Sequence, residues 1–234
     1  MADKKTILIT GAGRGIGKML ASHYIATGAY NVAGISKSSK PVLEFDFFSN
    51  VCVDDPAQIA TLFSDLKKKN LEPDIVINNA SVLTSQYAMI MTSSQAEDMI
   101  STNLLGTFLV SKEAAKQMRR KRFGRIINIS SMAASLEPAG DSVYAATKMA
   151  VQTLANVFAR ELGSLGITCN SLGVTAIETD MLNQLPRDKI DEIVSDLRIP
   201  RYAELRDIIN VIDFFISPSS DYITAQTLYL GGIN

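Results

Sequence analysis

The sequence predicts an α/β domain: a doubly wound parallel sheet of about seven strands with helices on both faces. Three observations carry that expectation. Short apolar, β-branched runs alternate with longer amphipathic stretches from one end of the chain to the other. The 234 residues, 47% of them hydrophobic, suit one domain with a substantial core. A glycine-rich turn stands between the first apolar run and the first amphipathic stretch.

The runs are Thr6–Thr10, Asn31–Ser36, Asp74–Asn78, Arg125–Ser130, Ile167–Leu172 and Thr227–Leu230. Strands buried on both faces of a parallel sheet need no polar alternation, which fits Ile75-Val76-Ile77 and Ile126-Ile127-Asn128-Ile129. Between the runs, the glycine turn opens a helix over Ile16–Thr27. Asp55-Pro56 supplies an N-cap and a first-turn proline ahead of Ile59, Leu62, Phe63 and Leu66, and Ser94-Gln95-Ala96-Glu97 reads as a capping box. A long helix follows Asp141-Ser142 and carries Val143 to Leu165, with Gly166 just past its end. The segment from Lys37 to Asp55 is too short for a helix plus a strand. One crossover is therefore reduced to a loop around Ser38-Ser39-Lys40-Pro41, and the third strand is either Val42–Phe45 or Asn50–Val53. The polar stretch Asn183–Tyr202, bounded by Pro186 and Pro200, follows a strand end where α/β proteins bind ligands. It is either a substrate lid or an ordinary surface helix with loops. Residues 1–234 contain no repeat, low-complexity tract or linker, so a single domain is expected.

Composition narrows the chemistry. Twenty-three basic and 24 acidic residues leave a formal charge of -1, with no broad footprint for nucleic acid or an anionic membrane. His23 is the only histidine, Cys52 and Cys169 are the only cysteines, and tryptophan is absent. These counts exclude a histidine-rich metal site, a zinc ribbon and a disulfide scaffold; no metal is expected. An acid–base enzyme with this composition would draw its proton from Tyr, Lys, Asp or Glu. The start Met1-Ala2-Asp3-Lys4-Lys5 leads into an apolar run that stops at Thr10, without the pattern of a signal peptide. No apolar stretch approaches the roughly 20 residues needed to span a bilayer, and a cytoplasmic protein with free thiols is expected.

Thr10-Gly11-Ala12-Gly13-Arg14-Gly15-Ile16-Gly17 has the spacing G-x-x-x-G-x-G, where the general dinucleotide fingerprint would need glycine at Ile16. The physics is shared: Gly11 allows the tight turn, Gly15 lets backbone approach a pyrophosphate, and Gly17 permits close helix–strand packing. The helix start presents free N–H groups and a positive dipole end to phosphates. An acidic residue at the end of the second strand would hold ribose hydroxyls and repel a 2′-phosphate. Here that end reads Ile35-Ser36-Lys37-Ser38, with Arg14 in the glycine turn. Lys37 and Arg14 are placed to clamp a 2′-phosphate, assisted by Ser36 and Ser38, so NADPH is expected in preference to NADH.

Together with Asn78-Asn79-Ala80, Asn103, Ser131, Tyr144-x-x-x-Lys148 and Asn170, in that order, the glycine turn resembles the short-chain dehydrogenase/reductase family in its compact, single-domain Rossmann form. Gly124-Arg125-Ile126-Ile127-Asn128-Ile129-Ser130-Ser131, Ile177-Glu178-Thr179-Asp180-Met181 and Tyr222-Ile223-Thr224 are closest in flavour to 3-oxoacyl-acyl-carrier-protein reductases. The resemblance implies hydride transfer between a nicotinamide cofactor and a ketone or secondary alcohol. It implies catalytic roles for Asn103, Ser131, Tyr144 and Lys148. Tyr144 would be the acid in reduction and the base in oxidation, its phenolate favoured by the Lys148 ammonium and the positive nicotinamide. Four residues apart on a helix, the two side chains leave one face. Lys148 would also grip the nicotinamide ribose, Ser131 would hydrogen-bond the substrate oxygen, and Asn103 would hold a water that relays protons to Lys148. The family places the catalytic hydroxyl on the second serine, which leaves Ser130 as packing or cofactor contact. Expected cofactor contacts are Gly11, Gly13, Arg14, Gly15, Ile16, Gly17, Ser36, Lys37, Asp54, Asn79, Ala80, Val174, Ile177 and Thr179, with Tyr144 and Lys148.

Departures from the family pattern accompany the match. Asn-Asn-Ala-Gly becomes Asn78-Asn79-Ala80-Ser81, and the Pro-Gly after the sixth strand becomes Val174-Thr175. Leu136, Glu137, Pro138, Val174, Met181 and Leu182, with the 183–202 segment, are expected to line the substrate pocket. A small-molecule or sugar derivative ranks above an acyl-carrier-protein substrate, because a run such as Arg119-Arg120-Lys121-Arg122 is more often a solvated helix end than a docking site. A catalytically silent, NAD(P)-binding regulatory protein is the alternative from another class. His23, Cys52 and Cys169 read as packing residues. A homodimer or homotetramer is expected through the helices after the fourth and fifth strands, including the continuation that bears Phe158.

Overall fold

The computed structural model describes residues 4–38 and 40–233. Ser39, in the loop expected in place of a crossover helix, lies outside them, as do the first three residues of the N-terminus. Seven strands form one sheet: β1 Thr6–Thr10, β2 Asn31–Ser36, β3 Phe47–Asn50, β4 Ile75–Asn78, β5 Gly124–Ser131, β6 Ile167–Val174 and β7 Thr227–Tyr229. Their spatial order is β3-β2-β1-β4-β5-β6-β7, and every neighbouring pair is parallel. Growth of the sheet reverses direction after β3, so the carboxyl ends of β1 and β4 flank a crevice where ligands bind in such folds.

The third strand matches neither expected position. Phe47 and Phe48 pack on opposite sides of the sheet, Phe48 beside Phe45 with ring centroids 5.0 Å apart. The Asp46 carboxylate accepts from Val32 N–H at 2.7 Å and fixes the start of the strand. Val42 is left in solvent, whereas Val51 and Val53 drop from the strand end into the core.

The helices are α1 Gly15–Thr27, α2 Pro56–Lys68, α3 Ser93–Met99, α4 Thr107–Lys121, α5 Ala133–Leu136, α6 Ser142–Leu162, α7 Arg187–Ser195 and α8 Leu205–Ile216. Asp55 caps α2 as expected, accepting from Ala57 N–H and Gln58 N–H at 2.8 and 3.1 Å. The capping box of α3 begins two residues earlier than Ser94. Thr92 accepts from Gln95 N–H, and the Gln95 side chain accepts from Thr92 N–H at 2.9 Å. A π-helical turn, Ile100–Gly106, joins α3 to α4 without a break. Helix α6 ends at Leu162, followed by a 3₁₀ turn and then Gly166 at φ 76°.

Strand side chains alternate between two cores. Leu8, Val76, Ile126 and Cys169 pack against α2, α4 and α6 on one face. Ile7, Ile9, Ile77, Ile127 and Leu172 pack against α1 and α8 on the other. Among the described residues no helix is long and apolar enough to cross a membrane.

Candidate active site

The turn after β1 is built by backbone proximity. Gly11 and Gly15 adopt φ values of 68° and 52°, in the left-handed region that suits glycine. A Cβ on Gly17 would stand 2.3 Å from the Gly11 carbonyl oxygen, so only glycine lets α1 start this close to the strand. Thr10 pins the turn to the next strand end: its Oγ1 accepts from Asn79 N–H and Ala80 N–H, both at 2.9 Å. The Asn79 carboxamide donates back to the Thr10 carbonyl at 3.0 Å, so Asn79 clasps the turn from inside. Helix α1 has no side-chain cap and no acidic residue in its first turn. Its first N–H groups therefore lack a side-chain acceptor, beside a Gly15 where a Cβ would find nothing closer than Thr179 at 3.8 Å. These residues fit a dinucleotide pyrophosphate, with the helix dipole favouring its charge.

At the carboxyl ends of β4 and β5, the four expected catalytic side chains converge. The Lys148 Nζ lies 5.7 Å from the centre of the Tyr144 ring and donates to the Ile129 carbonyl at 2.9 Å. The Ser131 and Ser81 hydroxyls stand near enough to the Tyr144 phenol to favour its ionised form. Ser131 is oriented by accepting from Ala133 N–H at 3.1 Å. Asn103, on the π-helical turn, is 1% exposed and its carboxamide is fully used. Its Nδ2 donates to the Val82 carbonyl and Thr147 Oγ1, at 3.0 and 3.1 Å, while its Oδ1 accepts from Val82 N–H and Ser81 Oγ, at 2.8 and 3.1 Å. Its backbone carbonyl accepts from Thr107 Oγ1 at 2.7 Å. Ser130 plays a structural part, donating to the Lys148 carbonyl and accepting from Gln152 Nε2.

Burial governs the protonation of the pair. It pushes the Tyr144 phenol up to about 12, with the nearby Asp141 carboxylate adding to the rise and the Ser131 and Ser81 hydroxyls opposing it. The expected depression by Lys148 is absent from the chain alone. Burial holds the Lys148 ammonium down to about 8, and its Nζ is committed to Ile129. Asp141 is itself raised by burial, against a hydrogen bond from Ser85.

The remaining expected contacts are distributed around this centre. Arg14 and Lys37 are exposed at the open side of the turn and at the end of β2, where Ser36 is half-buried. Asp54 accepts from the Cys52 thiol at 2.9 Å, which raises the thiol and corrects its assignment as a small hydrophobe. Cys169 is fully buried, as expected. Val174, the last residue of β6, and Ile177 beyond it are buried, and Thr179 faces Gly15. Leu182 and Met132 both pack against the buried cluster of Ala176, Ile190 and Val194, whereas Leu136 and Glu137 are exposed at the rim. Pro138 and Met181 are half-buried. The 183–202 segment docks through Ile190 and Val194, and Arg187 pairs with Glu178 at 2.8 Å and covers the Tyr202 ring at 4.6 Å. His23 lies edge-on to Tyr24 and lines a cleft of about 580 Å³ along α1, away from Tyr144. Thr10, Ser81, Asp141 and Thr147 join the site without having been expected there. Only Ser81 carried a signal, as a departure from the family pattern.

The model of the short chain dehydrogenase family matches residues 5–190. The chain belongs to that family. This short-chain dehydrogenase is 33% identical over 240 residues to the 3-oxoacyl-acyl-carrier-protein reductase FabG of Staphylococcus epidermidis, covering 97% of this chain and 98% of that one. It superposes on the structure of a gluconate dehydrogenase, so described provisionally, from Agrobacterium tumefaciens with a TM-score of 0.89 and 25% identity, over 97% of this chain and 94% of that one. Levodione reductase gives a TM-score of 0.88 and 26% identity, over 97% and 96%. The protein is an NAD(P)-dependent oxidoreductase acting on CH–OH and carbonyl groups.

Proposed function

We propose that this short-chain dehydrogenase interconverts a ketone and a secondary alcohol with NADPH, in a small-molecule or sugar biosynthetic pathway. Tyr144 is the acid in reduction and the base in oxidation. The carrying observation is the cluster of Tyr144, Ser131 and Lys148 at the carboxyl end of β5, beside a glycine turn fit for a dinucleotide. The cofactor, when bound, supplies or accepts the hydride. Ser131 hydrogen-bonds the substrate oxygen where negative charge develops, and the Tyr144 phenol gives that oxygen its proton. Lys148 holds the nicotinamide ribose, and Asn103 anchors the loop that faces it. Exposed Arg14 and Lys37 support the preference for a 2′-phosphate. The 183–202 segment is the substrate lid.

A 3-oxoacyl-acyl-carrier-protein reductase is the second reading, favoured by near full-length similarity to relatives of that name. Against it, Arg119-Arg120-Lys121-Arg122 sits at the amino end of β5, the opposite end from Ser131. Lys121 there binds Asp74 at 2.9 Å and Arg122 binds the Ser164 carbonyl at 2.8 Å. At about 3.3 Å per residue, β5 separates that run from the site by roughly 20 Å or more. Turnover of keto-sugars and cyclic ketones against acetoacetyl thioesters, each with NADPH and NADH, tests both readings. Tyr144→Phe is expected to lower kcat by at least about 10³-fold while cofactor binding survives. Full turnover by Tyr144→Phe, or greater efficiency with NADH, overturns the respective part.

A further inference from the structure

Lys148 is held at both ends by strand β5. Its ammonium donates to the Ile129 carbonyl at 2.9 Å, and its own backbone carbonyl accepts from the neighbouring Ser130 Oγ, also at 2.9 Å. The second contact belongs to a longer chain. Gln152, one turn further along α6 and buried, donates from Nε2 to Ser130 Oγ at 2.7 Å and to the Tyr229 hydroxyl at 2.6 Å.

The sheet is shaped to admit Tyr229 to this chain. Ser130, Gly173 and Tyr229 stand in register across β5, β6 and β7, and partners in register point to one face. A Cβ on Gly173 would collide with the Tyr229 ring. The ring therefore lies over the gap that glycine leaves in β6, where Gln152 comes down from α6 and bridges the two hydroxyls.

Polarity runs one way along the chain. A carbonyl can only accept, so Ser130 spends its single proton on Lys148, and Gln152 must present its amide N–H groups to Ser130 and Tyr229. Because Gln152 offers Ser130 a donor and no acceptor, the Ser130 proton stays directed at the Lys148 carbonyl. Asn128 Nδ2 donates to the Val151 carbonyl at 3.0 Å and ties the same helical turn to β5 at a second point. We propose that Gln152 is a positioning residue: acting through Ser130 and braced by Tyr229, it fixes the backbone at Lys148 so that the ammonium reaches the nicotinamide ribose from a set root. A long, flexible side chain loses less freedom on gripping a ligand when its backbone is already held.

The proposal rests on Lys148 as the holder of the nicotinamide ribose. Calorimetry on the full chain measures the binding of NADPH, of NADH and of ADP, which carries a pyrophosphate but no nicotinamide ribose. Gln152→Met, similar in length but without donors, is expected to weaken the tighter dinucleotide about tenfold and to leave ADP within about twofold of wild type. Tyr229→Phe removes only the outer brace; it is expected to weaken the dinucleotide about threefold, and the double variant to bind no more weakly than Gln152→Met alone. Wild-type dinucleotide affinity in either variant, a parallel loss of ADP binding, or losses that multiply in the double variant overturns the proposal. Tyr229→Phe deletes one hydroxyl from a half-buried side chain and decides the matter by itself where Gln152→Met does not fold. Lys148→Met with wild-type dinucleotide affinity overturns the ribose assignment instead.

Discussion

Burial drives Lys148 and Tyr144 toward their neutral forms from opposite directions, the ammonium down to about 8 and the phenol up to about 12. The effects on stability have opposite windows. Below about pH 8 the folded chain carries a buried ammonium whose cost is fully present; as pH rises toward 10.5, the unfolded chain keeps its proton longer, and stability increases. Lys148→Met is therefore expected to stabilise the fold by about 1–2 kcal/mol near pH 7, with the gain gone by about pH 10. Urea unfolding at the two pH values measures it, and an equal or larger gain at the higher value contradicts the burial argument. Tyr144 works the other way: its contribution is present below pH 10 and is lost as pH rises through about 12. The spacing of Tyr144 and Lys148 was legible in the sequence because a helix puts positions four apart on one face. The sign of the tyrosine shift was not, because the depth of burial is a property of the assembled loops around Met99, Ala133 and Val82.

Among elements, the start of α1 tolerates little change. A Cβ on Gly17 would meet backbone at 2.3 Å, and backbone cannot turn aside, whereas one on Gly28 meets nothing within 4 Å. Gly17→Ala is expected to lose about 2–4 kcal/mol and most cofactor affinity. Gly28→Ala, strained only by its φ of 61°, is expected to lose about 1 kcal/mol and to bind normally. Thermal unfolding and NADPH fluorescence titration separate them, and matching losses would refute the close-approach argument. The glycine turn and the Asp55 cap were readable because each uses a residue type with one physical purpose. Strand β3 was not: Phe47 and Phe48 face both cores of the finished sheet, while the more strand-like Val51 and Val53 serve as loop anchors. The π-helical turn left no residue-type signal at all.

For the whole molecule, apolar side chains remain uncovered on the two helices expected to pair subunits. Ile100, Leu105 and Phe108 are exposed on the π-helical turn and α4, and Met149 and Val157 on α6. Phe158 is instead 7% exposed and stacks behind Phe108 at 6.1 Å. Single exposed apolar residues are ordinary, and we propose that these five, across adjoining helices, form a subunit interface. Phe108→Glu is expected to shift the mass in solution from a multiple of 25.4 kDa to the monomer, with a lower Tm. Light scattering that shows a wild-type monomer, or an unaltered oligomer in the variant, rules this face out.

The seven residues from Ile100 to Gly106 also set a rotational phase. They turn Asn103 inward on the same helix that later buries Leu109, Val110 and Met118. Deleting Leu104, Leu105 or Gly106 would rotate everything downstream by about 100°. The apolar stripe of α4 would then leave the sheet while Asn103 kept its place. A graft or shortened design of this helix must therefore preserve residue count across the turn before it preserves residue identity.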